Sequence, residues 1–456
     1  MQGKLMTSTD KRKVLVVGMG ATGLSCVRYL HALGDEVTII DSRDVPPGLK
    51  ALREEYTDVE IITGTLESPL YESADLLVVS PGVSIRTPVI AKAIERGVEV
   101  AGDVELFARA INETGANVIA ITGSNGKSTV TSLVGKICKA AGKNTLVGGN
   151  IGKPVLELLD EPVADVYVLE LSSFQLETTQ SLSTLSAVVL NISEDHMDRY
   201  SSLEDYAGSK ATIYNNCKHT LINRDDDVAS SLVSGGDNVV SFGMSVPKTD
   251  KEYGIDADGL FIVCGTEKLL ALSDIRMLGQ HNIGNVMAAM ALVAPLTIPL
   301  DVISGVTKQF SGLAHRSQVV AEASGVSWVN DSKATNVGAT IAALQGINRP
   351  VILIAGGEGK DADFDPLGKV ITQYVKHLIL IGRDAKLIEA SAKGVECTHA
   401  ASMEQAVAIA SKAASSGDAV LLSPACASFD MYNSFEHRGN VFSEAVRNQV
   451  IEGAGQ

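Results

Sequence analysis

The sequence predicts an α/β protein of three domains: a Rossmann-like N-terminal domain, a central domain built on a parallel sheet of the P-loop ATPase type, and a Rossmann-like C-terminal domain. Three observations point there. Short runs rich in Val and Ile alternate with Ala-rich helical stretches, the pattern of parallel strands covered by helices. The runs fall into three clusters along 456 residues, which suits domains of roughly 100–200 residues each. Two glycine-rich turns, one in each of the first two clusters, follow an apolar run and open a helix.

The first cluster holds strands at Val14–Gly18, Glu36–Ile40 and Asp75–Ser80, then a helix around Pro88–Gly97. The second begins at Asn117–Thr122, continues through Val166–Glu170 and Ala187–Ile192, and closes on an Ala- and Met-rich helix from Asn282. The third holds Ser327–Asn330, Val351–Ala355, His377–Ile381 and Ala419–Ser423. Boundaries near residues 110 and 312 give domains 1–110, 111–312 and 313–456. Ser234–Ala271, Gly- and Asp-rich with short apolar alternations, reads as a small hairpin-bearing excursion inside the central domain. No low-complexity linker separates the clusters, so the domains are expected to touch.

Hydrophobic residues make up 45% of the chain and charged residues 20%, a globular balance. A net charge of -16 argues against a nucleic-acid partner, which needs a dominant basic face, but still allows a local nest of N–H groups around a nucleotide. The six cysteines are scattered without a C-x-x-C pair and read as reduced thiols. Met1–Arg12 is polar, and no run of 18 apolar residues follows, so a cytoplasmic protein without a membrane partner is expected.

Gly18-Met19-Gly20-Ala21-Thr22-Gly23 fits G-x-G-x-x-G, and Asp41 lies 18 residues beyond it. Alone, this spacing suits an NAD-dependent dehydrogenase, or a plain βα turn. The same exposed N–H groups would equally hold the diphosphate of a UDP-sugar. The second turn favours the UDP-sugar without closing the other readings, because Gly123-Ser124-Asn125-Gly126-Lys127-Ser128-Thr129 follows the strand Asn117–Thr122 and two phosphate loops imply two phosphorylated ligands. It departs from the usual P-loop in carrying Ile121 where the first glycine belongs. Gly123 and Gly126 let backbone amides approach phosphate, Lys127 brings a charge to the β- and γ-phosphates, and Ser128 or Thr129 can ligate Mg²⁺.

This short loop resembles that of the muramyl-peptide ligases and their folylpolyglutamate synthetase relatives. Four further segments agree in order: Glu170–Phe174, Asn191–Asp198, Gly279–Asn285, and His315-Arg316 with Asn330–Asn336. The resemblance spans the chain beyond roughly the first dozen residues. Gly149–Gly152, Gly356–Lys360 and Ser423–Asp430 are most similar to the loops of the member that adds D-glutamate, and the Asp-Asn-Pro-Arg motif of the diaminopimelate-adding member is absent.

The resemblance implies an ATP-dependent ligase acting through an acyl phosphate on UDP-N-acetylmuramoyl-L-alanine and D-glutamate, working as a monomer with Mg²⁺ at two sites. Glu170 and His196 follow strand ends beside the P-loop and suit metal ligation, although a lone His is more often a structural hydrogen-bonder. Lys210 matches the family's carbamylated lysine, whereas the local sequence alone reads as a solvated helix lysine. Asn282 and Asn285 share a helix face and could hydrogen-bond adenine or ribose, or cap the helix. Arg316, Asp331 and Lys333 match the nucleotide clamp. Thr335, Lys360, Ser428, Phe429 and Phe435 match the D-glutamate pocket. Thr22, Ser42, Arg43 and Ser80-Pro81-Gly82 match the UDP site, with Asn150 and His196 nearer the alanine end.

Overall fold

The computed structural model describes residues 11–277 and 279–452. Most of the polar segment Met1–Arg12 therefore lies outside the described residues. Three sheets account for the three clusters. The first is all parallel, ordered Glu60–Thr63, Glu36–Asp41, Lys13–Val17, Leu76–Val79, Glu99–Ala101. Its order reverses between Lys13–Val17 and its neighbours, so the loops after Val17 and Val79 open side by side, as ligand sites in open α/β sheets do.

The central sheet has nine strands. Asn117–Thr122 lies between Val166–Glu170 and Thr184–Val189, all parallel, which brings the P-loop, Glu170 and the segment after Val189 to one edge. Glu252–Ile255, Phe261–Cys264 and Glu267–Ala271 form an antiparallel meander, which contains the expected hairpins. Val239–Phe242 pairs parallel with Cys217–Asn223 and carries the meander on as the edge of the main sheet, inside the central domain. Ladder hydrogen bonds satisfy that edge better than water-exposed hairpins could.

The third sheet has six strands, parallel except for Gln318–Ala323 against Val326–Asn330. The cores explain how the parts are joined. One apolar cluster runs unbroken from Val16 and Ile39 of the first sheet through Phe107 to Ala120, Tyr167 and Leu169 of the central one. The helix Asp103–Ile111 supplies the seam, with Phe107 set edge-on to Tyr167 at 5.2 Å. The C-terminal sheet keeps its own cores on its two faces, and the hydrogen bonds that join it to the rest are polar side-chain ones. Among the described residues no helix is long and apolar enough to cross a membrane.

Candidate active site

The P-loop turns out of its strand and into the helix Lys127–Ala140. Gly126 has φ +85°, and a Cβ there would sit 2.5 Å from Asn285 Oδ1, so glycine is required both by conformation and by the neighbouring helix Gln280–Val293. Lys127 is the first residue of its helix and half-buried, rather than in the solvated loop its sequence context suggests; its ammonium donates to Gly123 O at 2.7 Å and Ser124 O at 2.9 Å. The loop is braced from below: Asn125 N donates to Asn191 Oδ1 at 2.8 Å, and Ser193 N to Ser124 Oγ at 2.9 Å.

Lys210 corrects the reading of a solvated helix lysine. It is 1% exposed, with Nζ donating to Gly123 O at 3.1 Å and Thr122 Oγ1 at 3.3 Å. The helix Leu203–Ala211 turns it inward, and the Tyr206 ring lies 4.6 Å from the ammonium. Burial, and after it the charge of Lys127, hold its pKa well below the ordinary lysine value. Sequence periodicity missed this because the helix is only weakly amphipathic, although Lys210 shares its inward face with Tyr206 and Ala207.

Glu170 is buried at the end of its strand; Oε1 accepts from Asn150 Nδ2 at 2.8 Å, while Oε2 is buried with no hydrogen-bond partner. An orphaned carboxylate oxygen beside a P-loop fits a cation ligand. His196 takes a left-handed backbone, φ +58°, and its ring packs on Phe174 at 4.8 Å. Its pKa is lowered by burial, which leaves the neutral imidazole a ligand needs. Among the described residues no three His, Cys, Asp or Glu side chains cluster as a ready metal site. The groups that could hold a cation here are Glu170, His196 and the Ser128 hydroxyl, with Lys210 able to join them only if its charge were inverted.

The C-terminal part closes over this loop. Arg316 Nη2 donates to Ser128 Oγ at 2.8 Å, and Asn125 and Asn336 exchange amide contacts at 3.3 Å. Lys360 Nζ reaches Asp195 Oδ1 at 3.2 Å. A cavity of about 780 Å³ opens between the two parts, lined by Gly126, Asn282, Asn285, Arg316, Asp331 and Lys333 among others. Lys127, Glu170, His196 and Lys210 do not line this cavity. Asp331 accepts from Ser317 N at 3.0 Å and Ser423 Oγ at 2.9 Å, and burial raises its pKa to about 6. Lys333 lies over the Phe435 ring at 3.8 Å, and burial lowers it to about 8.

Of the expected D-glutamate residues, Lys360 has a left-handed backbone at φ +53°, Thr335 is half-buried, and Ser428 is buried with its carbonyl accepting from Tyr432 N at 2.8 Å. Phe429 is 71% exposed. Asp195, Asn191 and Asn336 lie in the quoted motifs, yet the sequence assigned them no role; only the fold brings them onto the P-loop and Lys360.

The first glycine loop is equally informative. A Cβ on Gly23 would meet Gly18 O at 1.9 Å, so the third glycine serves close packing of turn and helix. Ser80 Oγ donates to Gly18 O at 3.0 Å, which ties the Ser80-Pro81-Gly82 turn to this loop; Thr22 is half-buried and Ser42 exposed beside it. Asp41 is spent internally: it accepts from Met19 N at 2.7 Å and from Arg43 Nε and Nη2 at 2.8 and 2.6 Å, and Arg43 holds its pKa down at about 2. A dehydrogenase would need that carboxylate for a ribose.

Residues 12–102 match the family described as Mur ligase MurD-like, N-terminal domain; residues 121–293 match the Mur ligase middle domain; residues 315–426 match the Mur ligase, glutamate ligase domain. The UDP-N-acetylmuramoylalanine--D-glutamate ligase of Shewanella violacea is 51% identical over 96% of this chain and 96% of its own. That of Methylobacillus flagellatus is 47% identical over 97% and 98%, and that of Pseudomonas aeruginosa 45% over 95% and 97%. Among solved structures, a pseudomurein peptide ligase type C from Methanothermus fervidus superposes with a TM-score of 0.61 at 19% identity, over 95% of this chain and 100% of that one. The UDP-N-acetylmuramate-alanine ligase of Thermotoga maritima gives 0.59 at 19%, over 96% and 99%, so both share the fold. Identity of this level to whole relatives, carried through three domains in the same order, means that the chain belongs to the Mur ligase family.

Proposed function

We infer that the protein is an ATP-dependent ligase that joins D-glutamate to UDP-N-acetylmuramoyl-L-alanine through an acyl phosphate, in the synthesis of peptidoglycan precursors. The observation that carries this is the near full-length identity to relatives named for that reaction, at 45%, 47% and 51%. The site supports it, with phosphate, cation and acidic amino-acid chemistry drawn to one seam.

The reaction starts when an oxygen of the alanyl carboxylate attacks the γ-phosphorus and ADP leaves. The D-glutamate amine then attacks the acyl carbon, the C–N bond forms, the C–O bond breaks with its electron pair going to the leaving inorganic phosphate, and the nitrogen gives up one proton. Both partners of the first step are anions, so the chain must offset repulsion. Lys127 and the amides of Gly123–Thr129, including Ser124, Asn125 and Gly126, take the phosphates, and Arg316 and Lys333 meet them from the C-terminal side. Asn282 and Asn285 bind adenine or ribose, and Asp331 accepts ribose hydroxyls.

Thr22, Ser42, Arg43, Ser80, Pro81 and Gly82 hold the UDP part, with Asn150 and His196 near the alanyl end. Thr335, Lys360, Ser428, Phe435 and the Phe429 backbone hold D-glutamate. Ser128, Glu170, His196 and Lys210 as a carbamate would hold Mg²⁺ at two positions, where the cation offsets phosphate charge. The depressed pKa of Lys210 favours the free amine, which adds CO₂ and releases one proton to give the carbamate. Small-molecule substrates and six free thiols suit a cytoplasmic monomer with no nucleic-acid or membrane partner.

Phosphate release across candidate amino acids tests the reading. It should require the UDP-substrate and D-glutamate together, with L-glutamate and diaminopimelate giving little. Release that instead follows a pteridine substrate with L-glutamate would overturn it in favour of folate chemistry.

A further inference from the structure

Arg199 has no part in the chemistry just described, yet it sits where two site-forming loops meet. Its side chain is 11% exposed. Nη1 donates to Pro81 O at 2.6 Å and Nη2 to Val83 O at 3.3 Å, both in the turn of the first sheet assigned to the UDP part. Nη2 also pairs with Glu177 Oε2 at 2.6 Å, a carboxylate only 8% exposed. The guanidinium lies flat over the Phe174 ring at 3.9 Å, and the same ring meets the His196 imidazole edge-on at 4.8 Å. Arg199 N closes the turn by donating to His196 O at 2.9 Å.

We propose that Arg199 is a positioning residue that couples the diphosphate-binding turn Ser80–Val83 to the His196 turn, so that binding of the UDP part orients the alanyl carboxylate for attack. This rests on the ligase reading above. A planar fork that donates to two carbonyls, pairs with a buried carboxylate and stacks on an aromatic face is suited to arginine and not to lysine, whose ammonium cannot span these directions. The Phe174 ring then passes any shift of the fork to the imidazole by contact, since packed groups do not deform continuously. In this way affinity for the remote nucleotide is used at the reacting end of the substrate.

A second clasp supplies the control. Arg86 pairs in two-pronged fashion with Asp205 at 2.7 and 2.6 Å, but its side chain is 50% exposed and it meets the Tyr200 ring, which stacks on Phe174, only at 5.9 Å.

The test compares wild type, Arg199→Lys, Phe174→Leu and Arg86→Ala with two substrates: UDP-N-acetylmuramoyl-L-alanine and the same glycosyl-alanine lacking the uridine monophosphate. Wild type should turn over the full substrate with the higher kcat. In Arg199→Lys and Phe174→Leu, kcat for the full substrate should fall about 10- to 100-fold, as expected for a misplaced reacting group, while kcat for the truncated one barely moves. The kcat ratio of the two substrates should thus approach one. Affinity for UDP alone should stay within about threefold in Phe174→Leu, whose Arg199 hydrogen bonds are intact. Arg86→Ala should keep the wild-type ratio.

A wild-type ratio in folded Arg199→Lys or Phe174→Leu overturns the coupling. So does an equal loss on both substrates, which marks a merely structural role. Should Arg199→Lys fail to fold, Phe174→Leu decides alone. Absence of UDP-substrate-dependent phosphate release in the wild type would instead sink the ligase reading, and is seen before any variant is made.

Discussion

Lys127 and Lys210 donate to the same carbonyl oxygen, Gly123 O, at 2.7 and 3.1 Å. Burial lowers the pKa of both ammonium groups, and the charge of Lys127 lowers that of Lys210 further by repulsion. Inverting the charge of Lys210 would turn that repulsion into attraction. Lys210→Ala should therefore lose most activity and regain part of it with added formate or acetate, whose carboxylate can occupy the vacated space. Titrating a series of short acids against phosphate release checks this. A folded variant that no acid rescues would speak against the carbamate and leave the ligase assignment intact.

Lys127→Ala should abolish ATP turnover, with a loss of about 10²–10³-fold or more in kcat, since one charge aimed at the transferring group is removed. Its two hydrogen bonds to the loop go as well, so circular dichroism should accompany the assay. Near-normal phosphate release by a folded variant would defeat the P-loop assignment.

Arg316 spans the seam and donates to Ser128 Oγ, the hydroxyl expected at Mg²⁺. A guanidinium is repelled by a cation there, so it should turn to the phosphates when the nucleotide binds. Arg316→Ala should raise KM for ATP by at least about tenfold, the equivalent of one charged hydrogen bond of roughly 1.5–3 kcal/mol, with little change in KM for the UDP-substrate. Initial-rate measurements with each substrate varied will tell; equal rises in both constants would mean a general loosening instead.

Asp103 is 1% exposed, with Oδ2 accepting from Gln175 Nε2 at 3.0 Å and Oδ1 unpartnered. Burial raises its pKa from 3.8 to about 6. A carboxyl raised on folding binds its proton more tightly in the folded chain, so stability is greatest below the unfolded value and falls as pH rises through about 4 to 6. Two units correspond to about 3 kcal/mol. Asp103→Asn should flatten that slope, gaining up to about 3 kcal/mol above pH 6 and nothing below about pH 4. Urea unfolding across pH 4–8 measures it, and parallel curves for the two proteins would refute the assignment.

The C-terminal part has its own cores and meets the rest through Arg316, Asn336 and Lys360, each contact of this type worth only about 0.5–3 kcal/mol net. Ligands that bind across the seam should favour the closed arrangement by their differential affinity. Small-angle scattering should show the smallest radius of gyration with a non-hydrolysable ATP analogue and UDP-substrate, and a larger one for ligand-free Arg316→Ala. Unchanged radii in both comparisons would argue for a rigid molecule.

The sequence by itself determined the three α/β units, both glycine loops and the order of motifs along the chain. Those signals are local: a run of Val and Ile, a turn that needs glycine, a lysine one residue after it. It did not give the pairing of Ser234–Ala271, whose hairpins the structure seats at the edge of the central sheet. What lies between elements was decided by the tertiary structure alone. Lys210 reads as solvent-facing until the strand Asn117–Thr122 is laid against its helix, and Asp41 reads as a ribose ligand until Arg43 folds back onto it. Arg199 carries no sequence signal, because its partners stand at 81, 83, 174 and 177. Burial and pairing depend on which distant segments share a surface, and no periodicity along one segment records that.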